Sequence, residues 1–167
     1  MISLKGICTA AAAAVSLAGL AGGASAEVLN SSYYTGNWSF ETATAAVPLG
    51  RANDGSAKTV IKVKPPAKGL YSLTYSAECS VEAPANNDYA WVDIDVIING
   101  VAIQPTLGSN DAFCSADGSV GFSGWHRASI TLAVPLKAGT NEITIQARLI
   151  SGATGGWLGD SALVIDD

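Results

Sequence analysis

The stretch GLYSLTYSAECSVEA, Gly69 to Ala83, limits the fold more than any other part of the chain. Tyr71, Leu73, Tyr75, Ala77, Cys79 and Val81 hold alternate positions, with Ser, Thr and Glu between them. Successive side chains of a strand point to opposite faces, so this pattern predicts a long β-strand with one face on a core and Cys79 among the buried residues. A second stretch, YAWVDIDVIINGVAIQP, puts Ala90, Val92, Ile94, Val96 and Ile98 on one face and Trp91, Asp93, Asp95 and Ile97 on the other. Asn99-Gly100 then offers the two positive-φ residues of a type I′ turn, returning the chain through Val101 and Ile103 to Pro105.

The alternation recurs later. HRASITLAV aligns Ile130, Leu132 and Val134 and is expected to break at Pro135 and Gly139, while NEITIQARLI turns Ile143, Ile145, Ala147 and Leu149 inward. SGATGG reads as a loop before a last strand, WLGDSALVID, and KTVIKVKPP reads as a strand closed by two prolines. Glu27 to Gly55 is less regular, with one strand expected around Trp38 to Val47. No segment after Ala26 sustains a helical period, turn signals recur about every ten residues, and no internal repeat is present. An all-β, antiparallel two-sheet sandwich of jelly-roll type follows.

The first 26 residues have a different character. Lys5 precedes an apolar run from Ile7 to Leu20, which ends at the small residues Ala24-Ser25-Ala26. This is the composition of a cleaved secretory signal peptide, and the run is shorter than the roughly 20 residues a spanning helix needs. Residues 27–167 are then expected to form a single β-sandwich domain, secreted or periplasmic, with no membrane insertion after cleavage. Cys8 leaves with the signal, so Cys79 and Cys114 meet in an oxidising compartment and are expected to form a disulfide, worth roughly 3–4 kcal/mol by loop closure. The formal charge is −5, and Lys58, Lys62, Lys64 and Lys68 gather around one strand. A nucleic-acid partner is not expected, because phosphate neutralisation needs a broad basic surface.

Several short signatures resemble known jelly rolls. Gly69-x-Tyr71 opening a strand, Ile98-Asn99-Gly100 closing another and Leu136-x-Ala138-Gly139 introducing a late one are similar to the layout of C1q and tumour-necrosis-factor domains. AGTNEITI and GWLGDSALVI resemble the last strands of jelly-roll carbohydrate-binding modules, and the stretch from about Gly69 onward resembles secreted bacterial proteins of this shape. The resemblance implies the jelly-roll fold. It departs from the C1q pattern at Gly139-Thr140, where that family usually carries Gly-Asp, which argues against a C1q-like trimer.

Candidate chemistry concentrates in NDAFCSADGSVGFSGWH, where Cys114 lies near the chain's one histidine, His126. A thiol hydrolase would need a free thiolate there, whereas export favours the bridge to Cys79. One histidine and no free cysteine argue against zinc, which wants three or four nitrogen or sulfur ligands. Asp93 and Asp95 share one strand face, an arrangement unsuited to the opposed carboxylates of glycoside hydrolysis. Two readings of the pair remain: a calcium site that also draws on Ala85 to Asp88, and, the one favoured here, a solvated face opposing Arg148, Arg127 or a lysine. The Asn30-Ser31-Ser32 and Asn37-Trp38-Ser39 sequons are read as chance matches.

The chain has four tryptophans and only three phenylalanines. Trp91 falls on the acidic face of its strand, and Trp125 and Trp157 lie beside glycines in expected loops. An indole flanked by carboxylates or amides is a common sugar-binding element; packing at the sandwich ends or between subunits is the structural alternative. The expected function is a non-enzymatic secreted module that binds a glycan or cell-surface ligand through Trp91, Asp93, Asp95, Trp125 and Trp157, with no cofactor and no metal. The alternative is a structural, self-associating protein whose aromatic face makes a homo-oligomer.

Overall fold

The computed structural model describes residues 27–86, 89–103, 112–119 and 121–167; the expected signal peptide lies outside them. Thirteen strands are present and no helix among the described residues. The early strands are β1 (Val28–Phe40), β2 (Thr44–Ala46), β3 (Gly50–Arg51), β4 (Ala57–Lys58) and β5 (Ile61–Val63). Then come β6 (Gly69–Ala83), β7 (Trp91–Ile98), β8 (Val101–Ala102), β9 (Ala112–Ser115), β10 (Gly121–Phe122), β11 (His126–Leu136), β12 (Asn141–Ile150) and β13 (Gly155–Asp166).

All pairings are antiparallel. One sheet runs β1-β13-β6, with β10 and β11 both completing the far side of β6. The other has β12 at its centre, flanked by β2 and β5 on one side and by β7 on the other, with β8 and β9 beyond β7. β3 and β4 form a separate ribbon. The two larger sheets face each other as a jelly-roll sandwich, and the alternation seen in the sequence sets the inner faces. Leu73, Tyr75 and Val81 of β6 are fully buried, as are Val92 and Val96 of β7, Ile143 and Ile145 of β12 and Ile165 of β13. Asn99 and Gly100 take φ of 52° and 82°, the left-handed pair the hairpin turn requires.

Cys79 of β6 and Cys114 of β9 form a disulfide, 6.2 Å between Cα atoms, which ties one sheet to the other. Three expectations need correction. β1 runs from Val28 to Phe40, well before the expected strand at Trp38. Its sequence is largely polar and its register shifts twice against β13, so no clean period shows. Pro135 does not end β11, which continues to Leu136; this strand pairs with β6 alone, and an edge strand tolerates a proline. β13 starts at Gly155, so the last two glycines of SGATGG belong to the sheet. Gly156 is needed there, because a Cβ would come within 2.5 Å of the Phe40 ring and 2.9 Å of Val92. Among the described residues no helix is long and apolar enough to cross a membrane.

Candidate functional site

Gly156 and Leu158 of β13 face the core, so Trp157 and Gly159 face outward. Registration puts Ser39 of β1 and Ser80 of β6 opposite Trp157, and Asn37 of β1 and Glu78 of β6 opposite Gly159. Trp125 approaches from the short connection that leads into β11. Its indole lies over Gly159: a Cβ there would sit 3.4 and 3.6 Å from two ring carbons and 2.9 Å from Asn37 Oδ1. The missing side chain of Gly159 leaves room for Asn37 Oδ1, with the Trp125 ring at ordinary contact distance above.

The connection carrying Trp125 is fastened to β6 by hydrogen bonds. The Ser123 amide donates to the Val81 carbonyl at 3.0 Å, the Val81 amide donates to Ser123 Oγ at 3.1 Å, and the buried Ser80 hydroxyl donates to the Ser123 carbonyl. The indole that follows is 47% exposed, unusual for a tryptophan held so firmly. Between Trp125 and Trp157 lies a cleft of about 400 Å³, lined also by Asn37, Ser80, Ser123 and Gly124. Among the described residues two indoles, one amide and two hydroxyl side chains line it, with no ionisable group. Outside the cleft, Arg127 bridges Glu78 at 3.1 Å, both exposed.

The other three candidates lie elsewhere. Trp91, Asp93 and Asp95 occupy the outer face of the second sheet, opposite Ile150, Arg148 and Gln146 of β12. The two acids are not solvated: they are 1% and 4% exposed and hold Arg148 between them. Asp93 Oδ2 accepts from Arg148 Nη2, and Asp93 Oδ1 accepts from the Ile94 amide at 2.8 Å. Arg148 Nε lies 2.8 Å from Asp95 Oδ2, near enough for an ion pair, although its N–H is not aligned for a hydrogen bond. Asp95 Oδ1 finds no donor. Burial pushes the Asp95 carboxyl above the usual range; Arg148 opposes the shift and Asp93 adds to it. The buried Trp91 Nε1 has no hydrogen-bond partner. An arginine fills the space between the carboxylates, and no cluster of three or more metal-binding side chains occurs among the described residues.

The structure therefore joins Trp125 and Trp157 and separates both from Trp91, Asp93 and Asp95. Asn37, Ser80, Ser123 and Gly159 were not foreseen. Asn37 and Ser80 reach the cleft only through strand pairing across β13, and no local pattern announces that.

Fold and site together define an antiparallel jelly-roll module, bridged between its sheets by one disulfide and carrying an indole-lined cleft on one outer face. Its fold is similar to that of several solved structures. The Eiger TNF of S. frugiperda matches at 10% identity and a TM-score of 0.43, over 84% of this chain and 94% of its own. A family 35 carbohydrate binding module from Clostridium thermocellum matches at 16% identity and a TM-score of 0.35, over 80% and 97%. CBM35 from Paenibacillus barcinonensis matches at 17% identity and a TM-score of 0.32, over 77% and 97%. No family model and no curated protein matches the sequence.

Proposed function

We propose that this chain is an exported, non-catalytic module that binds a neutral glycan in the Trp125–Trp157 cleft. The observation that carries the reading is an indole 47% exposed, yet held over Gly159 by a connection fastened to the sheet. Exposing a large apolar ring at a fixed position serves a ligand that presents an apolar face, and sugar rings do so through their C–H groups. The Asn37 amide beside it supplies polar atoms for sugar hydroxyls, while Ser80 and Ser123, buried and with their hydroxyls already bonded to backbone, hold the cleft in shape. A lining without ionisable groups suits an uncharged ligand. Cys114 is bonded to Cys79 and so offers no thiolate to His126, which supports a non-catalytic role. A closed disulfide also fits an oxidising, extracytoplasmic compartment.

Titration with soluble neutral oligosaccharides, followed by tryptophan fluorescence and calorimetry, tests the reading. Trp125→Ala is expected to weaken binding at least tenfold while shifting Tm by no more than a few degrees, because the exposed ring adds little to the core. Retention of full affinity by this folded variant, for every glycan the parent binds, would refute the assignment.

A further inference from the structure

Cations are few in this chain and unevenly placed. Five of the nine, Arg51, Lys58, Lys62, Lys64 and Lys68, fall between positions 51 and 68, where the one acid is Asp54. That carboxylate is turned into its own loop: it accepts from the Ser56 amide at 2.9 Å and the Ser56 hydroxyl at 2.6 Å, which hold it below the usual range. Among the described residues Lys62 reaches Glu142 at 3.1 Å, while Arg51, Lys58, Lys64 and Lys68 make no ion pair. The result is a positive strip on a protein of net charge −5.

The fold sets Arg51, Lys58 and Lys62 of this strip beside β1. Ile61 and Val63 of β5 are buried, so Lys62 and Lys64 point outward, about 7 Å apart. Two adjoining grooves, of about 410 and 320 Å³, run between β1 and the segment from Gly50 to Lys62, and Ser31, Ser32 and Lys58 line both. The first adds Thr35 and Arg51; the second adds Asn30 and Lys62. Arg51 is held in place: its guanidinium lies 5.0 Å from the Tyr34 ring centroid and donates to the Thr35 and Gly55 carbonyls at 3.3 and 3.2 Å. A charge with its orientation already fixed loses less freedom on binding an anion.

We propose that this groove is a second binding site, separate from the tryptophan cleft, for an acidic polysaccharide. Spaced positive charges answer carboxylate or sulfate groups along a polymer, and the hydroxyl and amide side chains between them answer its ring hydroxyls. A nucleic acid suits the surface poorly, since its affinity rests on neutralising many phosphates and only Arg51, Lys58 and Lys62 line the grooves. An extended peptide would want apolar side-chain pockets along the edge, and Val60 and Ile61 are the aliphatic residues among a lining otherwise dominated by hydroxyl, amide and cationic side chains.

Affinity electrophoresis and calorimetry of the disulfide-intact protein test the site, with polygalacturonate as the carboxylated probe, dextran sulfate as the sulfated one, and dextran and a single-stranded DNA oligonucleotide as comparisons. One or both acidic polysaccharides are expected to bind more tightly than dextran and DNA, with affinity falling as salt is added; the arm that binds identifies the anion. Lys58→Gln with Lys62→Gln should weaken that binding at least tenfold. Lys58→Arg with Lys62→Arg should preserve it, and both variants should melt within a few degrees of the parent. Trp125→Ala should leave it unchanged, so that failure of the neutral-glycan cleft and failure of this groove give different results. Binding to neither acidic probe, equal binding to DNA, insensitivity to the double glutamine substitution, or loss in Trp125→Ala would each overturn the proposal.

Discussion

Asp95 is the residue whose sequence pattern and final environment differ most. Alternation places it on the face away from the core, and charge patterning makes Arg148 a natural opposite, yet the carboxyl is buried with one oxygen lacking a donor. Burial raises its folded pKa above the ordinary carboxylate value, so the folded state holds the proton more firmly than the unfolded chain. The contribution of this group to stability is therefore fully present in acid below that value, and is lost as pH rises through the folded pKa. Asp95→Asn is expected to raise Tm by a few degrees at pH 7 relative to the parent. The gain should shrink as pH falls through the raised folded pKa, where the parent carboxyl takes up its proton. Thermal scans across that range check the sign; a destabilised variant at neutral pH would show that the pairing with Arg148 outweighs desolvation.

At the scale of elements, β1 and β13 depend on each other through matched large and small residues. Phe40 is paired with Gly156, which leaves room for its ring on the inner face, and Gly159 leaves room on the outer face for Asn37 Oδ1 of β1. Gly156→Ala should destabilise the fold by about 1–3 kcal/mol through overpacking against Phe40 and Val92. Combining it with Phe40→Leu should cost less than the sum of the two changes, as expected of residues in contact. Denaturant melts of the single and double variants measure the coupling, and strict additivity would show that the ring moves aside freely. β6, β7, β12 and most of β11 were legible because their apolar residues keep a strict period of two. β1 was not, since Asn, Ser, Thr and Tyr fill much of it and its register shifts twice against β13. The cleft was half legible: unusual tryptophans drew notice to Trp125 and Trp157, while Asn37 and Ser80 join them only once β1, β13 and β6 lie side by side.

For the molecule as a whole, the disulfide is the covalent tie between the two sheets. It closes a separation of 35 residues, for which loop-closure reasoning gives roughly 3–4 kcal/mol. Cys79→Ser with Cys114→Ser should lower Tm by several degrees or more, and non-reduced parent protein should show no titratable thiol. Two free thiols in folded, exported material would contradict the bridge.

Sequence alone determined what depends on neighbours along the chain. The period of two fixed the inner face of each main strand, Asn99-Gly100 fixed the hairpin turn, and two cysteines left after an expected signal peptide specified one pairing. Tertiary structure decided what depends on neighbours across strands. It clamped Arg148 between two buried carboxylates, laid Trp125 over Gly159, and set Arg51, Lys58 and Lys62 beside the hydroxyls of β1. The physical reason is the range of the information. A side chain's direction follows from its own backbone and the parity of its position, whereas burial, ion pairing and the lining of a cleft follow from strand order and register, which no short stretch of this chain encodes by itself.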